Sequence, residues 1–257
     1  MLYLKKIDVD DIVINKDDKI IYEIVSLKND VAIIKGVFYR IIKQVNITNL
    51  KLCDKSEYNE KIKEEKNYSY KVFNGFKRKN KIHLPGKILH IDGDQKYLDK
   101  CIDLYDEVGV YAYGVKLKES QMSIEIIKYL DIVNPDVIVI TGHDLFNNGD
   151  VKEIENYTNS KYYIETVKEI RKRDKSVVII AGACQSNFEA LIASGANFAS
   201  SPARINIHTF DPAVIAIRVA TTSFLKVVEF DDILKYIENG KRAFNGVETL
   251  GKMRLLL

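Results

Sequence analysis

Cys184 and His143 are the two side chains whose types and spacing suit covalent chemistry. Cys184 closes the run Ile179-Ile180-Ala181-Gly182-Ala183-Cys184, and His143, 41 residues earlier, closes Val139-Ile140-Thr141-Gly142-His143. Each lies just past an apolar stretch that reads as a buried strand. In open α/β sheets, sites form beyond the carboxyl ends of the strands. The thiolate is the reactive form of a cysteine, and an imidazole beside it supplies a base or the cation of an ion pair. A helix predicted from about Ser186 would bring its positive end to Cys184 and favour the thiolate. The backbone N–H groups of Cys184 and Asp144 would serve an oxyanion. Singly, Cys184 reads as a packed core thiol and His143 as a loop histidine. At two strand ends together they favour acyl transfer through a thioester.

The elements that must position this pair begin at Pro85-Gly86. Lys87 to Ile91, Val110 to Val115, Val137 to Thr141, Val177 to Ala181 and Asn197 to Ala199 read as strands. Helical patterns alternate with them: Tyr97 to Val108, closed by Gly109; Ser123 to Val133, closed by Pro135; Lys161 to Arg173; and Ser186 to Ser194. Asp211-Pro212 opens a further helix, and Asp231 to Glu238 is the last. Alternating β and α units with continuous apolar strands predict a parallel sheet covered on both faces. In the flavodoxin-like order 2-1-3-4-5, strands three and four are neighbours, so His143 and Cys184 face one another. Residues 1–52 instead hold short β-branched strands separated by turn clusters, which predicts a small SH3-like β-barrel. Residues 53–84 read as a charged linker; the thirteen from Asp54 to Lys66 hold nine charged residues and read as an exposed helix or a mobile linker. A fragment starting near Lys81 is expected to keep the α/β fold of 85–257.

Composition narrows the classes. The chain has 257 residues, 46% apolar and 29% charged, which is globular rather than disordered. Its 39 basic and 36 acidic residues give a net charge of +3, too balanced to argue nucleic acid from charge. The basic, aromatic stretch Lys71 to Lys81, with Tyr70, Phe73 and Phe76, reads better as linker than as a nucleic-acid patch. Three cysteines without motif spacing argue a reducing compartment. No apolar run approaches the ~20 residues a membrane span needs, and no h-region marks a signal peptide. A cytoplasmic protein with no metal and no cofactor is expected.

The layout resembles caspase-type proteases, which carry Ala-Cys after a strand and a histidine ~50 residues upstream. Here Asp144 follows His143 where that clan usually has glycine. More specifically, the chain resembles the sporulation-specific cysteine protease YabG family of spore-forming Firmicutes. The resemblance rests on Pro85-Gly86-Lys87-Ile88-Leu89-His90-Ile91-Asp92-Gly93-Asp94, on Pro135 through Asp144, on Ala181-Gly182-Ala183-Cys184-Gln185-Ser186-Asn187-Phe188-Glu189, on Gly195 through His208, and on Gly246-Val247-Glu248-Thr249. It covers nearly all of the chain after residue 85. It implies a caspase-like α/β endopeptidase that acts on spore coat and related precursor proteins during sporulation, in the cytoplasm of the sporulating cell or with the spore coat. It also implies a preference for basic residues at the cut, with Cys184 and His143 catalytic.

Other residues have candidate roles. Asp92 and Asp94 end strand one, where caspase-like folds line the primary specificity pocket. A carboxylate there suits an Arg or Lys side chain, although each aspartate also reads as a turn or helix cap. Ser200 and Ser201 follow strand five at the same edge and are candidates for substrate contact. His208 is the rival base. His83, His90, Cys53 and Cys101 read as structural. A receiver-like binding module has the same βα order, but Thr141 stands where its phosphoacceptor would be and Ser201 where it needs lysine.

Overall fold

The β-branched runs of the N-terminal region pair in sequence order. The structure, a computed structural model, describes residues 7–76 and 83–255. Strands β1 (Ile12–Asn15), β2 (Ile21–Lys28), β3 (Val31–Gly36), β4 (Ile42–Asn46) and β5 (Leu50–Leu52) form an antiparallel sheet in the order β4-β3-β2-β1-β5. Asn29, at φ 54°, turns β2 into β3, a conformation asparagine tolerates. Among the described residues no β4–β5 ladder closes this sheet into the expected barrel.

The charged stretch after it is one helix, α1 (Lys55–Phe76). Tyr58, Ile62, Tyr68 and Val72 recur at helical spacing. They pack on the apolar clusters while the charged residues face outward. Residues 77–81 of the basic stretch lie outside the described residues.

The strands and helices predicted after Pro85 are present. They are β7 (Ile88–Asp92), α2 (Gln95–Glu107), β8 (Ala112–Lys116), α3 (Met122–Val133), β9 (Val137–Thr141), α4 (Ser160–Arg173), β10 (Val178–Ala181), α5 (Phe188–Ala193), β11 (Phe198–Ser200), α6 (Asp211–Thr221) and α7 (Phe230–Leu234), and a strand that the sequence does not announce, β12 (Phe244–Gly246), follows. A two-stranded ladder joins β6 (His83–Leu84), just before β7, to β13 (Arg254–Leu255) at the end. The main sheet runs β12-β11-β10-β9-β7-β8. Counted from β7, its parallel strands follow the expected order 2-1-3-4-5. Antiparallel β12 is added at the edge.

Side chains alternate faces along each buried strand. Val137, Val139, Val178 and Ile180 point to one cluster, with α2, α6, α1 and the N-terminal sheet. Ile138, Ile140, Ile179 and Ala181 point to the other, with α3, α4 and α5. The first cluster also contains Val13, Tyr22, Ile24 and Ile34 of the N-terminal sheet and Val72 of α1. One apolar core therefore takes in described residues of the N-terminal sheet, of α1 and of the α/β region.

Candidate active site

Asp94, His143 and Cys184 form a row beyond the carboxyl ends of three adjacent strands, β7, β9 and β10. β7 pairs with β9 at an offset of 49, as in Asp92 with Thr141. Two residues further on, the same offset joins Asp94 to His143. β9 pairs with β10 at an offset of 41, as in Ile140 with Ala181. The same offset separates His143 from Cys184 in the sequence, but the ladder ends at Ala181 and Gly182, at φ 103°, turns the chain before the cysteine. The row sits just beyond the carboxyl ends of the strands, where the sequence places it.

Asp94 is held in two directions. Its Oδ1 accepts the Lys96 N–H at 2.9 Å and caps α2. Its Oδ2 accepts from Lys35 Nζ of β3 at 3.0 Å and lies 3.2 Å from His143 Nε2. Burial opposes ionisation, but the hydrogen bonds from His143 and Lys35 outweigh it and hold the carboxyl well below the usual range.

His143 is fixed by its backbone as well as its ring. Its N–H donates to Glu119 Oε1 at 3.0 Å, and its carbonyl accepts from Asn159 Nδ2 at 2.7 Å and Tyr163 OH at 2.9 Å. The Tyr97 ring packs 5.4 Å away. His143 Nδ1 is buried and has no partner among the described residues. Gly142 makes this packing possible, because a Cβ there would lie 2.5 Å from Glu119 Oε1.

Cys184 is fully buried. Its Sγ accepts the Ile207 N–H at 3.2 Å. Burial pushes the thiol up to about 12, with the Ile207 N–H partly offsetting it. Among the described residues no hydrogen bond joins it to His143. Ile207 belongs to a strap over the thiol that the N-terminal sheet holds down: Arg40 N–H donates to Ile207 O at 3.3 Å, and Thr209 N–H to Phe38 O at 3.2 Å. The helix expected from Ser186 begins at Phe188 with Asn187 as its cap. It is short and starts two residues late, because Gln185 takes a left-handed φ of 59° after Cys184. The predicted help of a helix dipole to the thiolate is correspondingly small.

Asp144 is a latch. Its carboxylate accepts from the Leu145 and Asn159 N–H groups and from the Ser160 and Ser186 hydroxyls, tying the histidine turn to α4 and to the cysteine turn. Among the hydrogen bonds of the described residues, neither the Asp144 nor the Cys184 N–H donates.

Asp92 is closed off. Its side chain and that of Arg40 have no solvent exposure, and they are paired at 2.5 Å. Its other oxygen accepts the Asp94 N–H. Burial works to raise the Asp92 carboxyl, but Arg40, His90 and the Asp94 N–H together outweigh it and the net shift is down. Ser200 and Ser201 are also buried and turned inward. Ser200 donates to Ala183 O at 2.7 Å, and Ser201 donates to Ile205 O at 2.7 Å while accepting the Gln185 N–H. They brace the cysteine turn. Neither Asp92 nor these serines has a side-chain atom free for a substrate in this conformation.

His90, His208 and Cys101 make internal contacts. His90 bonds Tyr105 OH inside β7. His208 packs on Tyr39, Tyr68 and Phe210, and burial, with Lys100 and Arg40, lowers it to about 3. Cys101 packs beside Arg40 and Thr209. Lys35, Arg40, Glu119, Asn159 and Tyr163 were not visible as site residues in the sequence. The register offset of 49 would have linked Asp94 to His143, but it requires knowing which strands pair. A groove borders His143, with Ile33 and Ile42 of the N-terminal sheet on one side and Leu145 and Thr158 on the other. Among the described residues no group of three His, Cys, Asp or Glu is arranged to hold a metal. No described helix is long and apolar enough to cross a membrane.

The sporulation-specific protease YabG of Bacillus subtilis (strain 168) is 43% identical to this chain over 178 residues, which covers 67% of this chain and 61% of that relative. The chain thus matches less than two thirds of the relative's length. The family described as YabG peptidase U57 matches residues 8–257, and the chain belongs to that family.

Proposed function

We propose that this chain is a cysteine endopeptidase of sporulation, with a caspase-like pairing of base and nucleophile. Its substrates are spore coat and related precursor proteins, cut after basic residues. The reading is supported by His143 and Cys184 following the ends of the adjacent strands β9 and β10, and by the His143 Nδ1 having no partner among the described residues.

The chemistry follows from the groups present. His143 Nδ1 takes the Cys184 proton, and Sγ attacks the scissile carbonyl carbon. The developing oxyanion meets the N–H groups of Cys184 and Asp144. His143 then protonates the leaving amine, and the acyl group remains as a thioester. Water, deprotonated by His143, releases the acid and restores the thiol. A buried thiol raised to about 12 is protonated at neutral pH. Turnover therefore requires the strap at Ile207 to lift from Sγ. The groove beside His143 is where a peptide would lie, so the N-terminal sheet forms one wall of it.

The test is cleavage of a spore coat precursor by the full chain and by Cys184→Ala and His143→Ala. Each variant should fold, by circular dichroism, and lose essentially all cleavage. Residues acting as one unit give equal, non-additive losses. Cleavage retained by purified Cys184→Ala ends the cysteine reading and leaves a non-enzymatic, receiver-like module as the alternative.

A further inference from the structure

We infer that Asp94 is the positioning residue of this site: it fixes His143 in the Nε2–H tautomer and so leaves Nδ1 as the base. The inference rests on the cysteine-peptidase reading above, but its first readout does not.

Four observations carry it. Asp94 Oδ2 lies 3.2 Å from His143 Nε2. The Oδ1 cap on α2 leaves the carboxylate little freedom to rotate away. Lys35 donates to the same Oδ2, and the carboxyl stays ionised. An ionised carboxylate only accepts hydrogen bonds. In a neutral imidazole facing it, the proton must therefore sit on Nε2. The lone pair is then on Nδ1, the buried nitrogen that no described residue satisfies. A buried acceptor without a partner is costly, and in a catalytic histidine that nitrogen is free to receive the thiol proton. The Tyr97 ring and the three backbone bonds at His143 keep the imidazole in this orientation. Asp94 touches neither thiol nor substrate in this scheme and acts through His143.

The experiment uses the full chain, labelled with 15N, and reads the imidazole nitrogens of His143 by NMR across the pH range in which the ring is neutral. The wild type should show a pyrrole-like Nε2 and a pyridine-like Nδ1. Asp94→Asn should give a mixed or reversed tautomer, because its amide can donate to Nε2. Asparagine caps helices as well as aspartate, so α2 stays intact. In the cleavage assay Asp94→Asn should lower kcat by about 10²- to 10⁴-fold, the upper figure being that of the corresponding change in a serine protease triad, with little change in KM. Asp94→Ala should match it. An Nδ1–H tautomer in the wild type overturns the inference. So does Asp94→Asn retaining kcat within about threefold of wild type while Cys184→Ala and His143→Ala are inactive. If cleavage proves independent of Cys184, the peptidase reading fails, and the tautomer measurement still decides what Asp94 does to His143.

Discussion

Arg40 and Asp92, 52 residues apart, form an ion pair with no solvent exposure on either side chain. Arg40 comes from the β3–β4 connection and Asp92 from the end of β7. The guanidinium also donates to Thr209 O and lies 5.1 Å from the Tyr97 ring centre. The pair thus anchors the N-terminal sheet to the strand edge that carries the site. Arg40→Met leaves Asp92 charged and unpaired in the core, which costs about 3–5 kcal/mol. Arg40→Met with Asp92→Leu removes both charges and should recover much of that loss. Urea denaturation of the four proteins of the cycle measures the coupling. Equal and additive losses would show that the two groups do not interact.

The shared core makes a prediction about truncation. A fragment starting near Lys81 would strip α1 from α2 and α6, expose the apolar residues it covers, and leave Asp92 without Arg40. It should be insoluble or lack fixed tertiary packing, with secondary structure retained but near-UV circular dichroism lost. The sequence reading expected such a fragment to fold, because a charged stretch separates the two regions. A sharp cooperative unfolding transition of the isolated fragment would restore that expectation.

Much of the α/β region was legible because its strands are continuous apolar runs. Val137 to Thr141 and Val177 to Ala181 are short, rich in β-branched residues and each followed by glycine, which marks them as strands where periodicity alone would not. The placement of His143 and Cys184 at strand ends follows from those runs. What was not legible depends on contacts far apart in sequence. Lys35 and Arg40 look like solvent-facing residues of a small sheet, and only the docking of that sheet turns them onto Asp94 and Asp92. The stripe Tyr58, Ile62, Tyr68 and Val72 is outnumbered by charges, so α1 reads as a linker. The left-handed Gln185 delays α5, and no local pattern announces it. The burial of Cys184 depends on a strap 23 residues later in the chain.

That strap predicts how Cys184 reacts. Iodoacetamide at neutral pH should modify half-buried Cys53 well before Cys184, as mass spectrometry of tryptic peptides would show. Arg40→Met, which loosens the attachment of the strap, should speed modification of Cys184 selectively. Fast labelling of Cys184 in the wild type would mean that the thiol is open at rest.

The same burial fixes a pH dependence. The folded Cys184 thiol ionises at about 12, whereas an unfolded thiol does so at about 8.5. The folded state therefore holds its proton where the unfolded state has lost it. The stabilisation is complete below about pH 8.5 and is lost as pH rises toward 12. Each such group contributes at most about 1.4 kcal/mol per pH unit in that window. Comparing denaturation of wild type and Cys184→Ala at neutral pH and in that alkaline window isolates the term from other titrating groups. The wild type should lose more stability than the variant.

The final prediction concerns specificity. A preference for basic residues needs a carboxylate that a substrate cation can reach. Asp92 is sealed by Arg40, and Asp94 is held by Lys35 and His143. Glu119 lies at the same strand edge, between Gly93 and Gly142, with Oε1 accepting the His143 N–H. It is half-buried, and among the described residues no cation pairs with it. A substrate guanidinium would find there the charge-assisted partner expected of Asp92 or Asp94. Glu119→Gln keeps an amide oxygen for the His143 N–H but removes the charge. A hydrogen bond to a charged group contributes about 1.5–3 kcal/mol, so cleavage after Arg should fall about ten- to a hundredfold in kcat/KM. Matched peptides with Arg, Lys and Gln at the cut position separate this from general damage to the site. Arg and Lys cleavage should fall while the low Gln cleavage stays unchanged. A uniform fall for all three peptides would mean that Glu119 only supports the histidine turn.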